Sequence, residues 1–381
     1  MKLIHKFALG AMTAMAFAAT PVLAEIRLGA TVSETGPAAF LGDPEAKTLK
    51  LLVEKINAAG GLNGEKIELF LYDDGGDPNK ARTFATRLVE DDEVQAIIGG
   101  TTTGTTMSII PVAEEAKIPF ISLAGAIEIV KPVKEWVFKT PHTDRMACEK
   151  IFTDMKKQGY TKIGLISGTD GFGASMRKQC LDVVASYGIE IVGDESYGPQ
   201  DADMTPQLTN LKGKPGIQAI MNPGFGQGPS IVTRNYAQLG ITLPFYQSHG
   251  VASNGFIDLA GKKAAEGVRL PGTALLVESI LADSDPQKPV VAAYVADYKA
   301  KYNIAPTTFG GYAHDALAIY ADAVKRAGST EPKAVRDAIE ATKGLIGTTG
   351  IVTMSKDDHL GLDLSAFRML EIRDGGWKLA E

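Results

Sequence analysis

Short apolar runs alternating with segments of helical period constrain this 381-residue chain more than any other feature. "EIRLGATV" and "KIELFLY" read as strands, and between them Ala46, Leu49, Val53 and Ile56 recur at helix spacing until Gly60 and Gly61 stop the helix. Asp43 followed by Pro44 predicts where that helix starts, with an acceptor at the cap and a proline at the first helical position. Asp77 and Pro78 repeat the signal ahead of a stripe of Ala81, Phe84, Ala85, Leu88 and Val89. "VQAIIGG", a helix near 104 to 116 and "IPFISL" continue the alternation. Strand-helix-strand cycles of this kind imply a parallel sheet with helices on both faces.

A second series begins near residue 144, with "KIGLIS", "IEIVGDE", "QAIMNPG" and "PFYQS" as strands. After "EGVRLPG" the chain becomes mainly helical, then ends in "GIVTMS" and "FRMLEIRDGGWKLA", a closing strand pair turned at Asp374 and Gly375. The expected fold class is therefore α/β, with two doubly wound parallel-sheet lobes.

The first 24 residues carry Lys2 and Lys6, an apolar stretch from Phe7, and small residues at Val22 and Ala24, the pattern of a secretory signal peptide cleaved after Ala24. The apolar stretch is shorter than the ~20 residues of a membrane-spanning helix, so a soluble periplasmic protein that is not membrane-inserted is expected. Removing the leader leaves 357 residues, more than one hydrophobic core readily supports. Without Lys2 and Lys6 the balance is 37 basic against 45 acidic residues, and no basic patch offers itself to nucleic acid. Cys148 and Cys180, the only cysteines, could be bridged or could be two buried thiols; sequence does not decide between these.

Catalytic and metal motifs are missing. "YDDGGDPNK" has Pro78 and Phe84 where a calcium loop starting at Asp73 needs glycine and glutamate. His142, His249, His314 and His359 include no pair at zinc-ligand spacing. No G-x-S-x-G elbow or phosphate-binding loop occurs, and the glycines of "SGTDGFG" fall at the wrong intervals for a dinucleotide fingerprint. Neither cofactor nor metal is expected.

"GGTTTGTT", residues 99 to 106, closes an apolar strand in a cluster of hydroxyls. At such a strand-to-helix junction the amide groups are unpaired and the helix dipole favours negative charge, so the threonines could hold an anion through neutral donors. The competing reading is a threonine-rich helix cap with its hydroxyls on solvent.

With these segments in view, the mature chain resembles the leucine/isoleucine/valine-binding family, the type I periplasmic solute-binding proteins of ABC importers. "SETGPAAFLGDPEAKTLKLLVEKINAAGGLNGEKIELFLYDDGGDPNKA" is similar to the family's N-terminal signature, and "IIGGTTTGTTMSIIPVAEEAKIPFISLAGA" to its first ligand-binding segment. The resemblance implies a three-segment hinge near 142 to 145, 269 to 273 and 347 to 352. Residues 25 to 143 plus 272 to 348 would form one lobe, and 144 to 271 plus 349 to 381 the other.

The resemblance also implies that the first lobe holds a ligand carboxylate, at Thr103 with Thr101 and Thr102 beside it, and at Ala124 and Gly125. Ala126 stands where amino-acid binders of the family place a threonine. His249 and Gly250 in "SHGVASNG" stand where those binders place the carboxylate that receives the ligand's ammonium. Phe40 and Leu41 fall in the loop that closes over the ligand, Phe172 where a tyrosine is frequent, and Phe225 and Phe309 could complete an apolar wall. Arg269 would assist if it faced the cleft, and Asp170 could take over the ammonium.

The expected function is capture of a small-molecule carboxylate by lobe closure and delivery to an ABC importer permease. An aromatic acid of the benzoate, hydroxybenzoate or phenylpropanoid type is the expected ligand, with a branched-chain amino acid as the alternative and an amide or urea as a remoter one. The protein is expected to be a monomer and not an enzyme. A secreted hydrolase and a ligand sensor are the competing classes.

Overall fold

A computed structural model describes residues 25–380. The proposed leader and its cleavage site lie outside the described residues. In chain order the first elements are β1 (Ile26–Val32), α1 (Ala39–Ala58), β2 (Ile67–Asp73), α2 (Pro78–Glu90), β3 (Ala96–Gly99), α3 (Thr103–Ala116), β4 (Phe120–Ser122) and β5 (Val137–Lys139). The second series is α4 (Asp144–Lys157), β6 (Lys162–Gly168), α5 (Gly171–Val183), β7 (Glu190–Tyr197), α6 (Thr205–Lys212), β8 (Ala219–Asn222), α7 (Gly228–Gln238), β9 (Phe245–Gln247), α8 (Asn254–Ala260), α9 (Lys262–Ala265) and β10 (Arg269–Gly272). Then come α10 (Lys288–Tyr302), α11 (Thr308–Ala327), α12 (Pro332–Glu340), β11 (Leu345–Ile346), β12 (Ile351–Val352), β13 (Arg368–Arg373) and β14 (Gly376–Leu379).

The first five strands form one sheet in the order β2-β1-β3-β4-β5, parallel throughout. The second sheet runs β14-β13-β10-β9-β8-β6-β7, parallel from β10 to β7 with the β13-β14 hairpin antiparallel at its edge. In both sheets the first strand of the series lies between its successors, so strand order reverses beside β1 and beside β6. Open sheets of this type bind ligands outside the carboxyl ends of the strands at such reversals. The ends at Ser33, Gly100 and Leu123 on one lobe, and at Gly168, Pro223 and Ser248 on the other, are therefore the places to look.

Thr140 to Thr143 carry the chain from β5 into α4 of the second lobe. After β10 the chain returns, and α11 packs along α1 beside the first sheet. The third passage follows the β11-β12 ribbon and leads back to β13. Asp315 of α11, fully buried, accepts the N–H groups and hydroxyls of both Thr348 and Thr349, which fastens that passage to the helix. Cys148 and Cys180 are bonded, tying α4 to α5 inside the second lobe's core.

Several expectations need correction. α1 begins at Ala39, not after Asp43, because a 3-10 turn over Gly36–Ala38 feeds the chain into the helix early. Pro44 is thus accommodated inside the helix, and Asp43 pairs with Lys47 at 2.6 Å instead of capping. Asp77 does cap α2, accepting from the amides of Asn79 and Lys80. "RLPG", which the sequence assigned to no element, forms β10, pairing over four residues with β13 and at a single position with β9. Of "GIVTMS", only Ile351 and Val352 pair as a strand. Among the described residues no helix is long and apolar enough to cross a membrane.

Candidate functional site

The three consecutive threonines do three different jobs. Thr101 accepts the Ser33 N–H at 3.0 Å and donates its hydroxyl to Glu45 at 2.5 Å. Burial holds the Glu45 carboxyl well above the usual carboxylate range, against the Thr101 hydrogen bond and reinforced by Asp74. Thr102 caps α3: its hydroxyl accepts the Thr105 N–H at 3.1 Å, while the Thr105 hydroxyl accepts the Thr102 N–H at 3.0 Å. Thr103, the first residue of α3, has a buried hydroxyl with no partner among the described residues. A neutral cap thus fixes the helix start and leaves the next hydroxyl and the helix-end amides directed at whatever occupies the cleft.

Gly125, at the end of β4, completes this cradle. Its carbonyl accepts from Lys139 Nζ at 3.0 Å and from the Asp144 N–H at 2.9 Å, so both of its lone pairs are engaged within the protein. Its own N–H has no acceptor among the described residues. Lys139 is fully buried, and burial lowers its pKa to about 7, opposed by Asp144. A side chain at Gly125 would stand 2.8 Å from Phe172 and 3.1 Å from His249 Nε2, both from the other lobe, so only a glycine allows this approach.

The second lobe supplies the opposite wall. Asp170 caps α5 through the Phe172 and Gly173 amides, which sets Phe172 at the cleft. Phe172 meets His249 edge-on at 5.4 Å and Phe225 edge-on at 6.1 Å. Burial, with Lys139 next, lowers the His249 pKa to about 3, so its imidazole is neutral at physiological pH.

These groups line a cavity of about 40 Å³ between the strand ends of the two sheets. Leu41, Thr101, Thr102, Thr103, Gly125 and Phe309 line it from the first lobe, and Phe172, Phe225, His249 and Gly250 from the second. Three expected residues are placed elsewhere. Phe40 packs edge-on against Phe309 at 5.8 Å, whereas Ala124 and Ala126 are buried in the core behind the strand ends. Arg269 is tied to Asp154 at 3.1 Å and Glu371 at 2.9 Å, away from the lining. Asp170 borders an adjoining pocket that shares Thr102, Thr103, Phe172 and Phe225.

Leu123, Pro141 and Tyr312 line the cavity without having been foreseen. Lys139 was missed too, although a lysine closing the apolar run "WVFK" is a signal that could have been read. No lining side chain carries a fixed charge.

The His249 shift has a measurable consequence. The unfolded chain takes up a proton near the ordinary value of 6.5, whereas the folded protein does so only near about 3. The unfolded state therefore binds more protons between these values, and stability falls as pH falls through that window. His142, lowered by burial, then by His249 and Lys139, acts in the same direction. Urea unfolding of His249→Gln from pH 7 to 4 should show a shallower acid loss than wild type, by up to about 1.4 kcal/mol per pH unit. Equal slopes would mean that His249 is solvated.

Two α/β lobes closing their switch-point loops over one cavity define a cleft-type ligand-binding protein. Comparison with known proteins makes the class specific: the chain matches the periplasmic binding protein family over residues 25–376 and belongs to it. It is a solute-binding protein of the leucine/isoleucine/valine-binding type, not an enzyme. It is 25% identical over 362 residues to the leucine-, isoleucine-, valine-, threonine- and alanine-binding protein of Pseudomonas aeruginosa, covering 94% of this chain and 93% of that one. An extracellular ligand-binding receptor from Rhodopseudomonas palustris HaA2 superimposes with a TM-score of 0.87 at 33% identity, over 94% of this chain and all of that one. The branched-chain amino acid transporter substrate binding protein of Streptococcus pneumoniae, solved with isoleucine, gives 0.83 at 26% identity, over 94% and 99% of the two chains.

Proposed function

We propose that this protein captures a small carboxylate with an apolar body by lobe closure and hands it to an ABC importer. The observation that carries the reading is the unpartnered Thr103 hydroxyl at the start of α3, which with Gly125 lines a cavity without fixed charge. Buried donors of this kind need an acceptor, and an oxyanion satisfies several at once. Branched-chain amino acids are the ligand class favoured by the relatives, whose names speak of leucine, isoleucine and valine.

A second reading, an aromatic acid, has one specific observation in its favour. The lining offers phenylalanines at positions 172, 225 and 309 and no carboxylate for an ammonium group, which is costly to bury alone. Calorimetric titration with leucine, isoleucine, valine, benzoate and hydroxybenzoates separates the two readings. Thr103→Ala should weaken whichever carboxylate binds by ~1–3 kcal/mol. Unchanged affinity would take Thr103 out of the site and the carboxylate reading with it.

A further inference from the structure

Tyr312 stands apart from the cradle. It belongs to α11, far along the chain from the strand ends that surround Thr103 and Gly125, and it reaches the same cavity. Only 3% of the residue is exposed, and its phenol oxygen has no hydrogen-bond partner among the described residues. Its main chain is well held: the carbonyl accepts the Thr140 hydroxyl at 2.9 Å, at the first passage between lobes. Phe309, one turn earlier on the same helix, packs at 6.2 Å from its ring and also faces the cavity. Tyr320, two turns later, likewise has an unpartnered phenol in the same core cluster, but it is not part of the lining that Tyr312 shares with Thr103 and Gly125. A phenylalanine would fill the space of Tyr312 equally well if packing were its whole purpose. His249 adds a second buried polar atom without a partner, Nδ1, on the opposite lobe.

We propose that Tyr312 is a specificity-determining residue that hydrogen-bonds a hydroxyl group on the body of the ligand, so that the site selects hydroxylated carboxylates over their unsubstituted counterparts. This rests on the carboxylate reading above and goes beyond it, since the cradle alone cannot tell the two kinds of ligand apart. A site built to hydrogen-bond a hydroxyl rejects the analogue lacking it, because its own buried polar group is then left unpaired.

The test uses matched pairs that differ by one hydroxyl at nearly constant shape: valine against threonine, and benzoate against 3- and 4-hydroxybenzoate. Titration calorimetry of the wild-type protein should show at least one hydroxylated member binding about tenfold or more tighter than its parent. Tyr312→Phe should reduce that preference to near unity, by weakening the hydroxylated member and relieving the parent of the unpaired phenol. Equal binding of both members of every pair that binds, or a preference that survives Tyr312→Phe, would overturn the assignment while leaving the carboxylate reading intact. Failure of every acid in the panel to bind would sink both.

Discussion

Gly125→Val removes ligand binding and leaves the free protein folded. The first side-chain carbon alone would lie 2.8 Å from the Phe172 ring and 3.1 Å from His249 Nε2. Both neighbours are themselves packed, Phe172 against Phe225 and His249, and His249 also against Phe367, so neither can step aside freely. Forcing extra carbons into a packed contact typically costs ~1–3 kcal/mol. Here the cost falls on the approach of one lobe to the other and not on the core of either. Gly125→Ala should therefore raise the dissociation constant by about tenfold, which corresponds to ~1.4 kcal/mol, and valine by more. Titration of the two variants beside their urea midpoints checks this. Normal affinity in the valine variant would show that the lobes do not approach this closely around the ligand.

Loss of the Cys148–Cys180 bond is the largest stability effect expected. The two cysteines are 32 residues apart and fully buried, and their link joins α4 to α5. Closing a loop of that length stabilises typically by ~2–4 kcal/mol, chiefly by restricting the unfolded chain. The double variant Cys148→Ala/Cys180→Ala should lose that amount in chemical denaturation. Because α5 also presents Phe172 to the cavity, the same variant should bind ligand more weakly. A stability equal to wild type would mean that the thiols contribute no cross-link.

The strands of both lobes were legible because a parallel sheet needs continuous apolar runs and each helix returns with its own period. The misplaced start of α1 shows the limit of local rules. Asp43-Pro44 carries a cap signal as good as Asp77-Pro78, yet a preceding turn over Gly36–Ala38 overrides it. β10 was hidden because its stability comes from β13, nearly a hundred residues later in the chain, and not from its own composition.

Site legibility followed the same division. Of the residues that the family resemblance singled out, Thr103, Gly125, Phe172 and His249 sit at strand ends and line one cavity. Tyr312 was not singled out, because α11 is buried on most of its surface and its cavity-facing residue looks like any other core tyrosine. The separate duties of Thr101, Thr102 and Thr103 were equally invisible, since they depend on partners at Ser33, Glu45 and Thr105. On ligand class, the missing carboxylate near His249 pointed toward aromatic acids, whereas the relatives favour branched-chain amino acids; a single absent charge is weaker ground than whole-chain similarity.

The neutral cap on α3 also bears on how fast ligand arrives. The chain carries a net charge of −6 and the cavity lining presents no cation, so a ligand with net negative charge would meet mild repulsion and no attractive steering, whereas a zwitterion would meet neither. For such an anion, added salt screens the repulsion, and the association rate should rise gently with ionic strength instead of falling as it does for electrostatically guided pairs. Differences in affinity among ligands would then reside in how slowly the closed lobes let go.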